Sequence, residues 1–410
     1  MKFKMHPRMF EATRLTREGR LSEATGLIQR LLSGASDPKS NATSALLTPA
    51  SSIIELVPEK AETLAPQASS RASELEKDVP GAVRAKRGFL AKLTGKASQP
   101  KASLGALTNA KETLRRAKSD GQFLSASYSN NAGTRAYKLY VPSSYDGQQL
   151  PLIIMLHGCT QSARDFATGT GMNAIGEAKG CFIAYPEQSP SANATKCWNW
   201  FNPRDQQRDA GEPSLVAGIT RKIIDNYEID TKRVYVAGLS AGGAAAVTMG
   251  ATYPELYAAV GVHSGLPAGS AVDLGSALTV MRNPKDPSGL PHAAILHGRG
   301  RLVPTIVFHG DKDTTVHPRN GHHVIDQSRT KVFGDLRSVS HHGHVQGGHS
   351  YTRTDHRDAA GRTVLEMWVI HGAGHAWSGG KLDGSYTDPR GPDASSEMVR
   401  FFLEHPALRK

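Results

Sequence analysis

Short apolar runs, separated by glycine, proline and polar residues, recur along the chain from about residue 121 onward. Most of these runs show almost no alternation of apolar and polar positions, which is typical of strands buried on both faces of a parallel sheet. They predict eight strands, at residues 123–129, 134–141, 152–156, 181–185, 234–237, 258–263, 305–309 and 364–370.

One longer stretch has a helical period instead. Residues 213–227 carry apolar side chains four positions apart on one face, at Leu215, Ile219 and Ile223. Glu212 suits the first turn of this helix, because a carboxylate there interacts well with the helix dipole. Strands that alternate with helices indicate an α/β domain with a mostly parallel sheet covered by helices on both faces. The first two strands are expected to form an antiparallel hairpin at the sheet edge.

Charge divides the chain into two parts. Of the 410 residues, the first 120 carry 21 Lys and Arg against 12 Asp and Glu, whereas the rest carry 28 against 25. We therefore predict a basic N-terminal extension at residues 1–120 and a nearly neutral folded domain at residues 121–410. Within the extension, the pattern predicts an amphipathic helix at residues 9–32, followed by a flexible linker rich in Ser, Ala, Pro and Lys.

The clearest chemical motif is RVYVAGLSAGG at residues 233–243, a strand that runs directly into a G-x-S-x-G turn. Such a turn exposes its serine, here Ser240, as a nucleophile, while Gly238 and Gly242 allow the backbone to pack closely around it. A helix that begins near Ala241 would point its free N–H groups and positive dipole end toward the site where negative charge develops.

A serine nucleophile needs a base and a carboxylate that orients the base. The segment PTIVFHGDKDTTV offers Asp311 and Asp313, and VLEMWVIHGAGHAW offers His371 and His375. We favour Asp313, because Asp311 follows the strand at once and suits a turn, and we favour His375, because His371 lies too near the strand end. The order Ser240, Asp313, His375 is that of the α/β-hydrolase fold.

The strand LPLIIML leads into HGCT, a loop that in this fold supplies one donor of the oxyanion hole. The predicted donors are the backbone amides of Cys159 and Ala241. We expect His157 to brace this loop by hydrogen bonding rather than to act as a base.

These motifs together carry a family resemblance. LHGCTQ, CWNWF at residues 197–201, GLSAGG, HGDKDTTV and GAGHAWSGG make residues 125–402 resemble the poly(3-hydroxybutyrate) depolymerase family of esterases. The resemblance implies an α/β-hydrolase catalytic domain, a Ser-Asp-His triad with no metal or cofactor, and a polyester of 3-hydroxy acids as substrate. Feruloyl and acetylxylan esterases share the elbow and the HG loop, so a plant cell-wall ester is the alternative substrate. A catalytically idle, granule-associated binding protein is a further alternative.

Secreted members of the family begin with a signal peptide and add a C-terminal substrate-binding domain. The residues near position 1 have no apolar signal core and no stretch reaches membrane-spanning length, so we expect neither a secretory signal nor a membrane span, and we expect no substrate-binding domain of that kind. We therefore expect a cytoplasmic enzyme whose basic extension docks on the surface of a polyhydroxyalkanoate granule, with a tail packed on the catalytic domain or a second subunit as the other possibility. No basic-aromatic pattern indicates nucleic-acid binding. The sequence does not predict the oligomeric state.

Three tryptophans lie in the family motifs. We expect Trp198, Trp200 and Trp377 to contact an apolar ester chain, although burial beneath the loop is the alternative for Trp198 and Trp200, and at least one tryptophan should be core.

The cysteines and histidines carry weaker signals. Cys159 and Cys197 lie in motifs that should meet at the pocket, but in a reducing cytoplasm we favour free thiols; Cys181 is expected in the core. The histidine-rich stretch at residues 340–351 matches no closed zinc site, and its glycines indicate a flexible hairpin or loop, so we expect no metal there.

Overall fold

The computed structural model describes residues 121–284, 302–330 and 334–407. The predicted amphipathic helix at residues 9–32 and the linker after it lie outside the described residues.

The described residues form one ten-stranded sheet and a second sheet of two short strands. The strands of the large sheet, in chain order, are β1 Gln122–Asn130, β2 Gly133–Val141, β3 Leu150–Leu156, β4 Phe182–Pro186, β5 Ile229–Leu239, β6 Ala259–His263, β7 Thr305–Gly310, β8 Arg337–His344, β9 Ser350–Arg357 and β10 Thr363–Ile370. The two-stranded sheet pairs β11 Trp377–Ser378 with β12 Thr387–Asp388.

The order of strands in the large sheet is β1-β2-β4-β3-β5-β6-β7-β10-β9-β8. All neighbours from β4 to β10 pair in parallel. Antiparallel strands flank this centre on both sides, with β1 and β2 at one edge and β9 and β8 at the other. The carboxyl ends of the parallel strands therefore meet along one edge of the sheet.

Helices cover both faces of the sheet. They are α1 Ala163–Thr170, α2 Met172–Lys179, α3 Gly211–Asn226, α4 Ala241–Thr252, α5 Leu274–Arg282, α6 Arg319–Arg329 and α7 Ala394–Glu404. Helices α3 to α6 bury their apolar side chains on one face, and α1, α2 and α7 bury theirs on the other. None of these described helices combines the length and the apolarity that a membrane span requires.

The two cores explain the missing alternation in the sequence. Along β3, Leu152, Ile154 and Leu156 pack on one face while Ile153 and Met155 pack on the other, and all five are fully buried. Successive side chains of a strand point to opposite faces, so a strand covered on both faces is apolar throughout. The expected α/β-hydrolase architecture is confirmed.

All eight predicted strands are present, the first two form the expected edge hairpin, and the predicted helix at residues 213–227 is α3. The sequence did not predict β8 and β9 as strands. The histidine-rich stretch forms the ends of these strands and the turn between them, a hairpin paired in register from Arg337 opposite Arg357 to His344 opposite Ser350. Polar and charged side chains predominate in both strands, so no apolar pattern marks them. The edge strand β8 is largely exposed, and β9, which lies between β10 and β8, is mostly half-buried.

The turn from β5 into α4 is packed against β3 at backbone distance. A Cβ atom on Gly242 would lie 2.0 Å from the Leu156 carbonyl oxygen, and one on Gly238 would lie 2.3 Å from backbone atoms of Gly242. Between these glycines, Ser240 has φ 58° and ψ −119°, a strained conformation for a residue with a side chain. Only glycine at both positions permits this turn.

We predict that Gly242→Ala lowers the free energy of unfolding by about 3 kcal/mol or more, because backbone atoms of β3 cannot move aside as a flexible side chain would. Chemical denaturation measures the change. The matched control is Gly275→Ala in the exposed first turn of α5, where the new methyl group meets only the Asp273 carboxylate at 3.5 Å. The control should change stability by no more than about 1 kcal/mol; an equal loss in both variants would contradict the packing argument.

Candidate active site

Three of the predicted site residues lie just beyond the carboxyl ends of parallel strands. Ser240 follows β5, Asp313 lies in the turn after β7, and His375 lies in the loop after β10. Strands β5, β6, β7 and β10 are neighbours in the sheet, so these loops meet at the same edge. Open α/β sheets bind their ligands at this edge.

Asp313 and His375 are in direct contact. Asp313 Oδ2 lies 2.7 Å from His375 Nδ1 and 3.3 Å from Nε2 of the buried His309. The other oxygen, Oδ1, accepts hydrogen bonds from the amides of Thr315 and Val316, both at 2.9 Å. Burial acts to raise the pKa of Asp313, but the hydrogen bonds from the two histidines outweigh it and hold that pKa well below its ordinary value. The carboxylate is therefore ionised at neutral pH.

The alternative residues form a second pair. Asp311 Oδ2 lies 3.1 Å from His371 Nδ1, and Asp311 Oδ1 accepts from the Gly372 amide at 2.7 Å. The side chains of His371 and Asp311 are 41% and 33% exposed, whereas that of Asp313 is fully buried. The structure thus separates a buried pair from an exposed pair within the same two loops.

Ser240 is tied to the neighbouring strand by its backbone. Its amide donates to the His263 carbonyl at 2.8 Å, at the end of β6. The His263 ring is fully buried, and its Nε2 accepts from the Ser378 amide at 2.9 Å. Burial, together with nearby His309 and His375, lowers the pKa of His263 to about 3, so this ring stays neutral and serves as an acceptor. The sequence did not single out His263, because it reads as the last residue of an ordinary strand.

The predicted oxyanion donors are both available. The amides of Cys159 and Ala241 donate to no group of the described residues, whereas those on either side of Cys159 are used. Gly158 N donates to Gln161 Oε1 at 2.9 Å, and Thr160 N donates to the Thr195 carbonyl at 2.7 Å. The loop is thus fixed on both sides of one free donor.

His157 lies beneath this loop and is fully buried. Its Nε2 accepts from the Gln188 amide at 3.0 Å, which leaves the Nδ1 proton to donate to the Gly158 carbonyl at 2.7 Å. Burial lowers the pKa of His157, so the ring remains neutral. Both ring nitrogens are therefore used to hold the loop in place, which agrees with the expected supporting role of His157.

Cys159, in the loop after β3, and Cys197, in the segment between β4 and α3, form a disulfide. The expectation of two free thiols is therefore wrong: hydrogen bonds between the loops bring the two Cα atoms to 4.1 Å. Cys181 is free and buried as expected, and burial raises the pKa of its thiol to about 11.

Glu212 organises the segment that carries Cys197. Although it lies in the first turn of α3 as predicted, it is buried and accepts from Gln188 Nε2, from the Asn199 amide at 2.7 Å and from Arg135 at 3.4 Å. Burial and the charge of Asp205 raise the pKa of Glu212 to about 7. The helical pattern gave no sign of this role, because the donors come from three distant segments.

The three tryptophans do not lie on open surface, which corrects their assignment as substrate contacts. Trp198 is 0% exposed and donates from Nε1 to the His157 carbonyl at 3.1 Å, and Trp377 is 1% exposed and donates to Ser395 Oγ at 3.0 Å. Trp200 is 6% exposed. Burial of their large apolar area contributes more to folding stability in the core than it would in a solvent-filled cleft, and a buried indole N–H finds a hydrogen-bond partner there. They support the loops from below.

No group of three or more His, Cys, Asp and Glu side chains with the geometry of a metal site occurs within the described ranges.

Comparisons with known proteins agree with this architecture. The model of the Esterase PHB depolymerase family matches residues 135–345. Poly(3-hydroxyalkanoate) depolymerase C of Paucimonas lemoignei is 31% identical over 255 residues, which are 61% of this chain and 60% of that protein. Feruloyl esterase B of Neurospora crassa is 30% identical over 260 residues, which are 60% of this chain and 85% of that protein. The acetyl xylan esterase from Aspergillus awamori has the same fold, with a TM-score of 0.54 at 19% identity over 69% of this chain and 100% of that one.

The chain spans 60% of the length of the Paucimonas depolymerase that it matches. The family model covers more than half of this chain, including the β5–α4 turn with Ser240 and the β7 exit with Asp313. The chain therefore belongs to the Esterase PHB depolymerase family.

Proposed function

We propose that this chain is a serine carboxylic-ester hydrolase that cleaves poly(3-hydroxybutyrate)-type polyesters. The observation that carries the proposal is the 2.7 Å contact between the buried Asp313 carboxylate and His375, at the sheet edge where the strained turn presents Ser240. The two unused amides of Cys159 and Ala241 supply the donors that such chemistry requires.

In this mechanism His375 removes the Ser240 proton as the Ser240 oxygen forms a bond to an ester carbonyl carbon. Asp313 holds the His375 ring through Nδ1, which leaves Nε2 for the proton, and its negative charge stabilises the imidazolium that forms. The amides of Cys159 and Ala241 bind the oxyanion. His375 then gives its proton to the departing alkoxide as the ester C–O bond breaks, and a water molecule activated by the same ring hydrolyses the acyl-serine.

The proposed substrate class is inferred from the family and from the similarity to the Paucimonas depolymerase. A depolymerase and a feruloyl esterase match this chain at nearly the same identity, so a feruloyl- or acetylxylan-type ester is the second candidate. A catalytically idle, granule-associated protein is disfavoured, because the buried Asp–His pair, the strained serine turn and the two unused amides together supply the groups that ester hydrolysis requires. No metal or cofactor takes part in the proposed reaction.

One panel of substrates separates these candidates. Purified protein is incubated with amorphous polyhydroxybutyrate granules, denatured polymer, methyl ferulate and a short p-nitrophenyl ester. We expect 3-hydroxybutyrate or its oligomers to be released from the granules. Turnover of ferulate without any release from the polymer would contradict the polyester assignment, and binding to granules without turnover of any ester would indicate the idle protein.

The proposal extends to the location of the enzyme. We propose that the basic residues 1–120 bring the domain to the surface of a polyhydroxyalkanoate granule. The Cys159–Cys197 disulfide argues against a reducing compartment, since such bonds persist in oxidising ones. Removal of residues 1–120 should lower turnover of the granules in the panel and leave that of the p-nitrophenyl ester unchanged; equal loss on both would show a folding role instead.

Replacement of the nucleophile gives the first prediction for catalysis. Ser240→Ala should lower kcat on the p-nitrophenyl ester by about 10⁶-fold, because no other described group at the elbow can form the acyl intermediate. The matched control is Ser264→Ala, a buried serine that also follows a parallel strand and also has a positive φ, 49°. The control should keep turnover within about tenfold of the unchanged protein; near-native activity of Ser240→Ala would refute the assignment.

The two aspartates give the second. Asp313→Asn should lower kcat by about 10⁴-fold, because the amide no longer holds His375 in the required tautomer. Asp311→Asn, two residues away and paired with the exposed His371, should lower kcat by less than about tenfold. Steady-state kinetics of both variants decides the assignment, which fails if the larger loss follows Asp311→Asn.

A further inference from the structure

Three strained residues surround one open pocket beside the proposed oxyanion hole. Six residues other than glycine have a positive φ within the described ranges, and one of them is Ser240. Three of the other five, Thr160, Lys196 and Tyr386, line the same pocket, with φ of 67°, 53° and 53°. Such conformations cost energy in a side-chain-bearing residue and cluster at functional sites.

The position of the pocket links it to the proposed chemistry. Thr160 directly follows the oxyanion donor Cys159, and Lys196 directly precedes Cys197, its disulfide partner. On the other side, the Tyr386 carbonyl accepts from the Trp377 amide at 2.7 Å, two residues beyond His375. The Tyr386 hydroxyl lies 3.1 Å from Thr160 Oγ1, so it closes the ring between the two loops.

The polar groups of the pocket are not equally free. Asp165 already accepts from the Ser385 amide, from Ser385 Oγ at 2.5 Å and from Gln161 Nε2 at 3.0 Å. Lys196 has only a weak partner, since its Nζ lies 3.8 Å from Glu187 Oε1 and both side chains are 31% exposed. The pocket therefore offers one available cation and the 46% exposed ring of Tyr386. This combination suits an anion carried on a short, largely apolar chain.

We propose that this pocket binds the terminal carboxylate of an oligomer of 3-hydroxy acids, with Lys196 as the partner of the carboxylate and Tyr386 covering the chain. The proposal rests on the proposed function. In such an oligomer the carboxyl terminus always lies on the alcohol side of the scissile ester. The pocket is therefore the leaving-group site. The enzyme prefers soluble oligomers that have a free carboxyl end, and it cleaves them at an ester bond close to that end.

The test compares the trimer of 3-hydroxybutyrate with its terminal methyl ester, at pH 7 and low ionic strength. We expect a KM for the free acid roughly tenfold lower than for the methyl ester, the effect of one charge-assisted hydrogen bond in a partly exposed site. Lys196→Met should raise the KM for the free acid by the same factor and leave the methyl ester unchanged. Lys196→Arg should retain most of the preference, and added salt should reduce it in the unchanged protein.

Controls separate the possible failures. Lys232→Met, on the exposed amino end of β5, removes one positive charge far from the carboxyl edge and should leave the preference intact. Equal KM values for acid and methyl ester, or an unchanged preference in Lys196→Met, would overturn the pocket assignment while leaving the polyester hydrolase in place. Absence of turnover on both trimers, with turnover of methyl ferulate, would overturn the proposed function and this inference with it.

Discussion

The contact between Gly242 and the carbonyl of Leu156 governs the geometry of the whole site. It lets the first turn of α4, which begins at Ala241, lie directly on the end of β3, the strand that leads into the loop with Cys159. The same packing forces Ser240 into a positive φ at the tip of the turn. The proposed nucleophile and one of the two proposed oxyanion donors therefore depend on the same backbone packing. Strain is tolerated here because the surrounding strands are buried on both faces and cannot relax around it.

The second amide depends on a different kind of support. The loop with Cys159 lies between β3 and α1, and buried side chains and a disulfide hold it. His157 and Trp198 support the loop from beneath, and the disulfide ties it to Cys197. Glu212 in turn anchors the segment that carries Cys197 and Trp198. A buried carboxylate that accepts several hydrogen bonds is costly to leave unsatisfied, so this network specifies one loop conformation. In the proposed mechanism, donors preorganised in this way need no rearrangement as charge develops on the substrate.

The sequence predicted the parts of the fold that depend on local apolar patterns. Eight strands and α3 followed from such runs, and the family motifs followed from short segments with strong turn chemistry. The sequence indicated a hairpin or loop at residues 340–351 but did not predict β8 and β9 as strands, because histidine, serine and arginine predominate in them. The sequence also did not predict the acceptor role of His263 or the network around Glu212, since each depends on partners from distant segments. The assignment of Cys159 and Cys197 as free thiols failed because it was argued from the compartment rather than from the distance between the loops.

Chain order alone does not choose between the two Asp–His pairs. Strands β7 and β10 are parallel and in register, with Gly310 opposite Ile370, so their exits run side by side and bring Asp311 to His371 and Asp313 to His375. The two pairs differ in how far their side chains are exposed to solvent. The exposed pair is screened by water and salt, whereas Asp313 is shielded and held by two amides, so its charge acts on His375 in a medium of low dielectric constant. A carboxylate stabilises a neighbouring imidazolium more strongly in such surroundings than in water, and this is the physical reason for proposing the inner pair as the catalytic one.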